Sequence, residues 1–239
     1  MNNSQSMIRK RVVNLLNGRA GYIVRRMISS PDQHWSGHEL AKELCMSPAW
    51  VNRVLDNLVA FGVVKRTQRG VLSFTEVVSN NIIIEKWVSH YDFNMNPTRF
   101  YLLQKKNPVK LIDALAEKEG FSYALTGYAA ANLVEKTTYN GVPSVYLVPK
   151  SGFNSDEFNN ILGRLENVYN FIPVNKQANV IVMQPLQREA VLFDVKKIRG
   201  INCVSPLQLY LDLYGLDRGK FVIEALNDYF QKHKLFYES

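Results

Sequence analysis

The chain has 239 residues, of which 46% are hydrophobic and 21% are charged, a composition typical of one large globular domain or two smaller ones. No apolar run approaches the roughly 20 residues that a membrane span requires, and the basic N-terminus precedes too short an apolar segment for a signal peptide. The two cysteines, Cys45 and Cys203, form no disulfide pattern, so the sequence predicts free thiols in a reducing, cytoplasmic compartment.

The positive charge is concentrated in the first third of the chain. Residues 1–78 contain eleven Lys or Arg and five Asp or Glu, whereas the other 161 residues contain 18 and 16. The net charges of the two parts are therefore +6 and +2. A segregated basic excess is typical of polyanion binding, although a solvated basic surface without a partner gives the same counts.

The first elements along the chain are two predicted helices separated by a loop. The first helix covers residues 8–28, with an interruption or kink near Gly18 and Gly21. The second begins after Ser36, because Ser36 at the N-cap and Glu39 three positions later form a capping box.

A third helix is predicted over residues 48–61. Ser47 is its N-cap, Pro48 occupies the first helical position, where no hydrogen bond is lost, and Gly62 ends it. Its apolar residues recur at i, i+3, i+4 and i+7, the spacing of a buried stripe. They are Val51, Val54, Leu55 and Leu58.

Two short β-rich runs follow around a turn at Arg69 and Gly70, which predicts a hairpin. A connecting helix is then predicted over residues 77–91. The domain boundaries that follow are 1–78 for the first domain, 79–92 for the connection and 93–239 for the second domain.

Three helices and a hairpin in this order are typical of a winged helix-turn-helix, so the first domain is interpreted as a DNA-binding domain. In such domains the second helix of the motif enters the major groove, where Asn and Arg match the edges of adenine and guanine. Charged residues of the hairpin would contact phosphate or reach a minor groove. The predicted DNA-binding residues are Ser47, Trp50, Asn52, Arg53, Asn57, Lys65, Arg66, Gln68 and Arg69.

Two side chains and the type of partner stay open at this point. Trp50 is equally compatible with a base or sugar contact and with folding back onto the domain. Asp56 is expected to orient Arg53 or Asn57 rather than to touch DNA. The alternative for the whole domain is a winged-helix module that contacts proteins.

Beyond residue 93 the pattern alternates strands with helices, which predicts a mixed α/β domain and places the chain in the α+β class. Strands are predicted over residues 98–103, 145–148, 168–173, 178–183, 190–195 and 201–204. Helices are predicted over residues 108–119, 126–136, 155–168, 205–214 and 219–232.

Three stretches of this second domain are distinctive: YALTGYAAANL (residues 123–133), ANVIVMQP (178–185) and VSPLQLYLDLYGLDRG (204–219). With the N-terminal winged helix, they resemble the AbiEi family of antitoxins, from abortive-infection (type IV) toxin–antitoxin systems. The resemblance covers most of the chain, and the third stretch is its most specific part. It departs at residues 220–223, which stand where family members usually have an acidic, alanine-rich helix start.

This resemblance implies an N-terminal domain that represses its own operon and a C-terminal domain that counteracts a nucleotidyltransferase-type toxin encoded alongside. Palindromic promoter sites would imply two copies on double-stranded DNA, either as a preformed dimer or as two monomers that meet there. Toxin neutralisation follows from the resemblance alone.

The segment LTGYAAANL also resembles the start of a nucleotidyltransferase core, where a helix N-terminus binds phosphate. That chemistry needs carboxylates on the next strand to hold magnesium, and Ser144, Val145 and Tyr146 stand in their place. Asp194 is a single carboxylate. The domain is therefore interpreted as a degenerate core with no metal, cofactor or catalytic residue, and Thr126 as a helix N-cap.

One acid lies in a helix that is apolar nearly all round, the segment 205–214. Ser205, proline at the first position and Gln208 at the third predict a capping box there. Because an unpaired buried charge is costly, Asp212 is expected to be paired, with Arg218 as its partner.

Two rival interpretations of the whole chain remain. One is a ligand-sensing winged-helix transcription factor without a toxin partner, whose second domain holds an effector pocket. The other is a divergent nucleotidyltransferase.

Overall fold

The computed structural model describes Leu16 and residues 18–69, 72–104, 107–137, 139–152 and 154–237, without the side chains of Arg69, Leu72 and Glu189. The chain is α+β and divides into two compact units, residues 1–91 with 228–239 and residues 92–227. The sequence placed the whole of 93–239 in the second domain, whereas the C-terminal segment from residue 228 belongs to the first unit. Among the described residues, no helix has the length and apolar character needed to cross a bilayer.

Between residues 18 and 91, the described part of the first unit contains three helices, a hairpin and a fourth helix. They are α1 (Gly18–Ser29), α2 (Gly37–Glu43), α3 (Pro48–Ala60), β1 (Val64–Arg69), β2 (Leu72–Val77) and α4 (Asn80–Val88). Residues 8–15 of the predicted first helix and the turn residues Gly70 and Val71 lie outside the described part of the chain. A further bridge pairs Trp35 with Thr75, so the loop before α2 adds to the hairpin.

The predicted ends of α2 and α3 are confirmed. Both hydrogen bonds of the capping box between Ser36 and Glu39 are present. After α3, Gly62 has a φ of 69°, its N–H donates to Val59, and the N–H of Val63 donates to Leu58. This pair of bonds satisfies the last carbonyl groups of the helix, and the left-handed backbone favours glycine there.

The second unit is built on a mixed seven-stranded sheet, in the order β6-β3-β7-β5-β4-β9-β8. Its strands are β3 (Thr98–Leu102), β4 (Phe121–Thr126), β5 (Ser144–Pro149), β6 (Ile172–Pro173), β7 (Val180–Met183), β8 (Lys196–Ile198) and β9 (Ile201–Cys203). Its helices are α5 (Pro108–Ala116), α6 (Gly127–Val134), α7 (Ser155–Tyr169), α8 (Pro206–Tyr214) and α9 (Gly219–Ala225), and α10 (Asn227–Lys232) begins at its end. The pairs β4–β9 and β5–β7 are parallel and the others antiparallel.

Helices cover this sheet on both faces. Tyr123 of β4 reaches Asp113 of α5 on one face. Thr126 of β4 and Tyr146 of β5 lie on the opposite face and reach Asp212 of α8. Tyr123 and Thr126 are three residues apart on one strand, so their side chains point to opposite faces and bond to helices on opposite sides.

Three predicted elements are wrong. In the predicted strand 168–173, α7 continues to Tyr169 and ends where Asn170 takes a left-handed φ of 56°, which leaves only Ile172 and Pro173 extended. The predicted strand 190–195 is a 3-10 turn followed by Asp194 with a φ of 58°, so the strand begins at β8 instead. The predicted helix 219–232 is two helices, separated at Leu226.

Candidate nucleic-acid interface

The helix α3 is the element that carries most of the predicted contact residues. The side chain of Ser47 accepts a hydrogen bond from the backbone N–H of Trp50 at 3.3 Å, and Pro48 opens the helix, as predicted. The four residues of the predicted apolar stripe are all buried and fix which side of α3 faces outward. They are Val51, Val54, Leu55 and Leu58, none more than 3% exposed.

Arg53 lies at the centre of the outward face of α3. On a helix of 3.6 residues per turn, it shares the side opposite the buried stripe with Ala49, Asp56 and Ala60, and all four are exposed. No hydrogen bond or ion pair joins Arg53 to another residue of the described ranges. Ala49, four residues before Arg53, has a short side chain that leaves the guanidinium accessible on that side.

Trp50 and Asn57 lie on one edge of this outward face. Trp50 is 38% exposed and Asn57 is half-buried. The exposure of Trp50 excludes complete folding back onto the domain, one of the two arrangements that the sequence allowed.

Asn52 and Asp56 lie on the other edge, and both bond to the hairpin. Arg66 of β1 donates from Nη1 to Oδ1 of Asp56 at 2.5 Å and from Nη2 to Oδ1 of Asn52 at 2.7 Å. The expectation that Asp56 orients Arg53 or Asn57 is therefore wrong, because its partner comes from the neighbouring strand. The hydrogen bond between Arg66 and Asn52 joins two of the predicted DNA-binding residues to each other.

The turn between α2 and α3 consists of residues 44–47. Cys45 adopts a left-handed φ of 50° in this turn, a conformation more common for glycine. At the start of α2, a Cβ atom added at Gly37 would lie 2.4 Å from Oδ1 of Asn52, so the Asn52 side chain of α3 packs against Gly37.

On the hairpin, Glu76 is the acid that faces the basic residues. Lys65 Nζ lies 3.7 Å from Oε1 of Glu76, and His34 Nε2 lies 3.3 Å from its Oε2. The ring of His34 also stacks on Phe74, with centroids 4.9 Å apart. The Lys65 side chain is 68% exposed, so its ion pair contributes little to stability and leaves the ammonium accessible.

The other two predicted hairpin residues lie at the far end of β1. Gln68 is exposed. Arg69 ends the strand and its side chain is outside the described part of the structure. The structure therefore brings Ser47, Trp50, Arg53 and Asn57 to α3 and its start, and it ties Asn52 to Arg66.

In the second unit, the wholly buried Asp212 is surrounded by uncharged donors. Thr126 Oγ1 donates to Oδ2 at 2.5 Å, and Tyr146 Oη and Gln208 Nε2 donate to Oδ1 at 3.0 and 2.7 Å. The predicted partner was Arg218, and this was wrong, because Asp212 faces the sheet. Thr126 is the N-cap residue of α6, as predicted, although its hydroxyl bonds to Asp212 and not to the helix backbone.

A cleft of about 430 Å³ lies on the other face of this sheet, between α5 and β4. Its polar side chains bond to one another: Tyr123 donates to Asp113 at 2.8 Å, and Lys150 pairs with Glu117. Burial, reinforced by Asp113, raises the pKa of Tyr123. The hydroxyl is therefore neutral across the physiological range.

Within the described ranges, no group of three or more His, Cys, Asp or Glu is placed to hold a metal ion. Asp194, the carboxylate considered for magnesium, forms an ion pair with Lys196 at 2.6 Å.

Comparison of the chain with known protein families, with curated proteins and with solved structures found no match.

Proposed function

We propose that this chain is a DNA-binding transcriptional repressor, in which the first unit is a winged helix-turn-helix and α3 enters the major groove. Two helices joined by a four-residue turn, with α1 before them and a hairpin after them, support this proposal. The observation that carries it is Arg53, exposed at the centre of the outward face of a capped helix. An arginine in this position suits bidentate contact with a guanine edge.

Charge supports the same partner. The first 78 residues hold a net charge of +6, and Lys65 and Gln68 are exposed on the hairpin beside α3. Phosphate contacts by a lysine such as Lys65 supply affinity that falls as salt rises. Binding at its own promoter is proposed on the resemblance to the AbiEi family, and a palindromic site there would hold two copies, as a dimer or as two monomers.

The antitoxin role is proposed on the resemblance to the AbiEi family. In that proposal the second unit counteracts a nucleotidyltransferase-type toxin encoded alongside, in the cytoplasm and without a cofactor. Asp212 and Gly219 lie in the most specific stretch, and their contacts are internal to the unit. Those two residues therefore support the fold of the unit.

The DNA-binding proposal is tested by fluorescence anisotropy with DNA from upstream of this gene and with a scrambled duplex, each at two salt concentrations. We expect a preference for the upstream DNA, and a loss of about 5- to 100-fold in affinity for Arg53→Ala. Lys110→Ala, which also removes one positive charge but lies on α5 of the second unit, is the matched control and should bind normally. Equal and weak binding to both duplexes would contradict the proposal and favour a protein-contact module.

The antitoxin proposal is tested separately by co-expression with the product of the neighbouring gene. We expect growth arrest by that product alone and rescue by this chain, also when Arg53→Ala has abolished operator binding. Failure of the wild-type chain to rescue would leave a repressor without an antitoxin role.

A further inference from the structure

The hairpin is fastened to α3 through one arginine. The guanidinium of Arg66 spans Asn52 and Asp56, which are four residues apart and so lie on one side of the helix. Two donors in a planar fork fit two acceptors at this spacing, a geometry that lysine cannot reproduce. The Arg66 side chain is only 29% exposed, so it is more restricted than the side chain of a fully exposed arginine.

The carboxamide of Asn52 also packs against Gly37 of α2. It occupies the space of a Cβ atom there, since a Cβ added at Gly37 would lie 2.4 Å from Oδ1 of Asn52. Recognition of adenine by asparagine uses the carboxamide oxygen and nitrogen together. To read adenine, Asn52 would have to share with DNA the oxygen that already accepts from Arg66.

Arg53 differs from these residues in its exposure and in its contacts. It lies one position from Asn52, at the centre of the exposed face, and its guanidinium has no partner in the described ranges. Its five N–H donors are therefore available to a ligand.

We propose that Asn52, Asp56 and Arg66 form a bracket that fixes the angle between the hairpin and α3, and that Arg53 reads the DNA sequence. The role of Arg53 rests on the proposed DNA-binding function, whereas the bracket does not. Arg66 and Asn52 thus change from contact residues, as the sequence suggested, to positioning residues.

The bracket is tested without DNA, by hydrogen exchange of the backbone amides of β1. Arg66→Lys keeps the charge but loses the fork, so we expect these amides to exchange about two- to fivefold faster. Arg53→Lys is the matched control. It makes the same chemical change at a residue on the outward face of α3 that is outside the bracket, so the exchange should be unchanged. Equal exchange rates in the two variants would overturn the bracket.

The reading role is tested with the same two variants on the upstream duplex and on a set of single-base substitutions. Arg53→Lys should lose discrimination at one base pair by about tenfold or more. Arg66→Lys should weaken all duplexes by a similar factor and leave the slope of affinity against salt unchanged, since its charge is kept. Loss of discrimination in Arg66→Lys but not in Arg53→Lys would overturn the assignment.

A wild-type chain that does not distinguish these duplexes would overturn the proposed function and the reading role of Arg53 together. The exchange experiment would still decide the bracket, because it requires no DNA.

Discussion

The backbone N–H of Asn80 donates to the carbonyl oxygen of Tyr237 at 2.9 Å, within the first unit. The Asn80 side chain, which is wholly buried, extends this contact by donating to the carbonyl oxygens of Lys234 at 3.0 Å and Ile28 at 3.3 Å. Phe230 of the same C-terminal segment is also buried in full. The end of the chain is therefore part of the unit that holds α3.

Asn80→Ala should lower the free energy of unfolding of this unit by about 1–3 kcal/mol, because the buried carbonyl group of Ile28 and the partly buried one of Lys234 lose their donor. Urea unfolding followed by tryptophan fluorescence measures this unit selectively, since Trp35, Trp50 and Trp87 all belong to it. Asn175→Ala, at an exposed position of the second unit, is the control. Identical curves for the two variants would contradict the structural role of the C-terminal segment.

Thr126→Val should destabilise the protein by about 1–2 kcal/mol, because it removes the hydroxyl that donates to the buried Asp212 and keeps the shape of the side chain. Thr126→Ser retains the hydroxyl and should lose less. Thermal unfolding followed by circular dichroism compares them. If both variants melt at the wild-type temperature, the hydrogen bond between Thr126 and Asp212 does not contribute to stability.

Two glycines of the second unit give opposite expectations. A Cβ atom at Gly219 would lie 1.6 Å from the carbonyl oxygen of Leu213, so Gly219→Ala must displace the backbone and should cost several kcal/mol. Gly163 lies inside α7 with no atom within 4 Å of its added Cβ, and Gly163→Ala should stabilise the protein by up to about 1 kcal/mol. Melting temperatures that fall in both variants would refute the second expectation.

The two cysteines are both free, as predicted, and should differ in reactivity. Burial raises the pKa of the Cys203 thiol to about 12, so it stays a neutral thiol at pH 8, whereas Cys45 is exposed. A thiol reagent at pH 8 should modify one cysteine rapidly, and Cys45→Ser should abolish that phase. Fast modification of two thiols in the folded protein would contradict this assignment.

The raised pKa of Cys203 also makes the stability of the protein depend on pH. The pKa of Cys203 rises on folding. The contribution of this thiol to the free energy of unfolding is therefore complete below the ordinary pKa of 9.0, and it is lost as the pH increases to about 12. Urea midpoints of wild type and Cys203→Ala should therefore converge in this range. A constant difference between them would contradict the shift.

Ser47→Ala should destabilise the first unit by about 1 kcal/mol, because it removes the cap of α3. Ser47→Asn supplies another capping oxygen and should retain most of the stability. Tryptophan fluorescence in urea separates the two variants. Equal loss in both would mean that the hydroxyl of Ser47 has a role besides capping.

Much of the first unit could be predicted because its signals are local. The caps at Ser36 and Ser47, the stripe from Val51 to Leu58 and the stop at Gly62 all depend on residues within one or two helical turns. The strand errors at residues 168–173 and 190–195 have the opposite origin. There, left-handed residues such as Asn170 and Asp194 interrupt apolar runs whose composition suits a strand.

The sequence by itself determined α3, its outward polar residues and the basic charge of the first 78 residues. Only the tertiary structure decided that Arg66 binds Asn52 and Asp56, that Asp212 is satisfied by Thr126, Tyr146 and Gln208, and that the C-terminal segment joins the first unit. Helix caps and stripes arise from neighbours along the chain. The partner of a buried or half-buried polar group is whichever donor or acceptor the packing brings near, even one that is 154 residues away, as between Asn80 and Lys234.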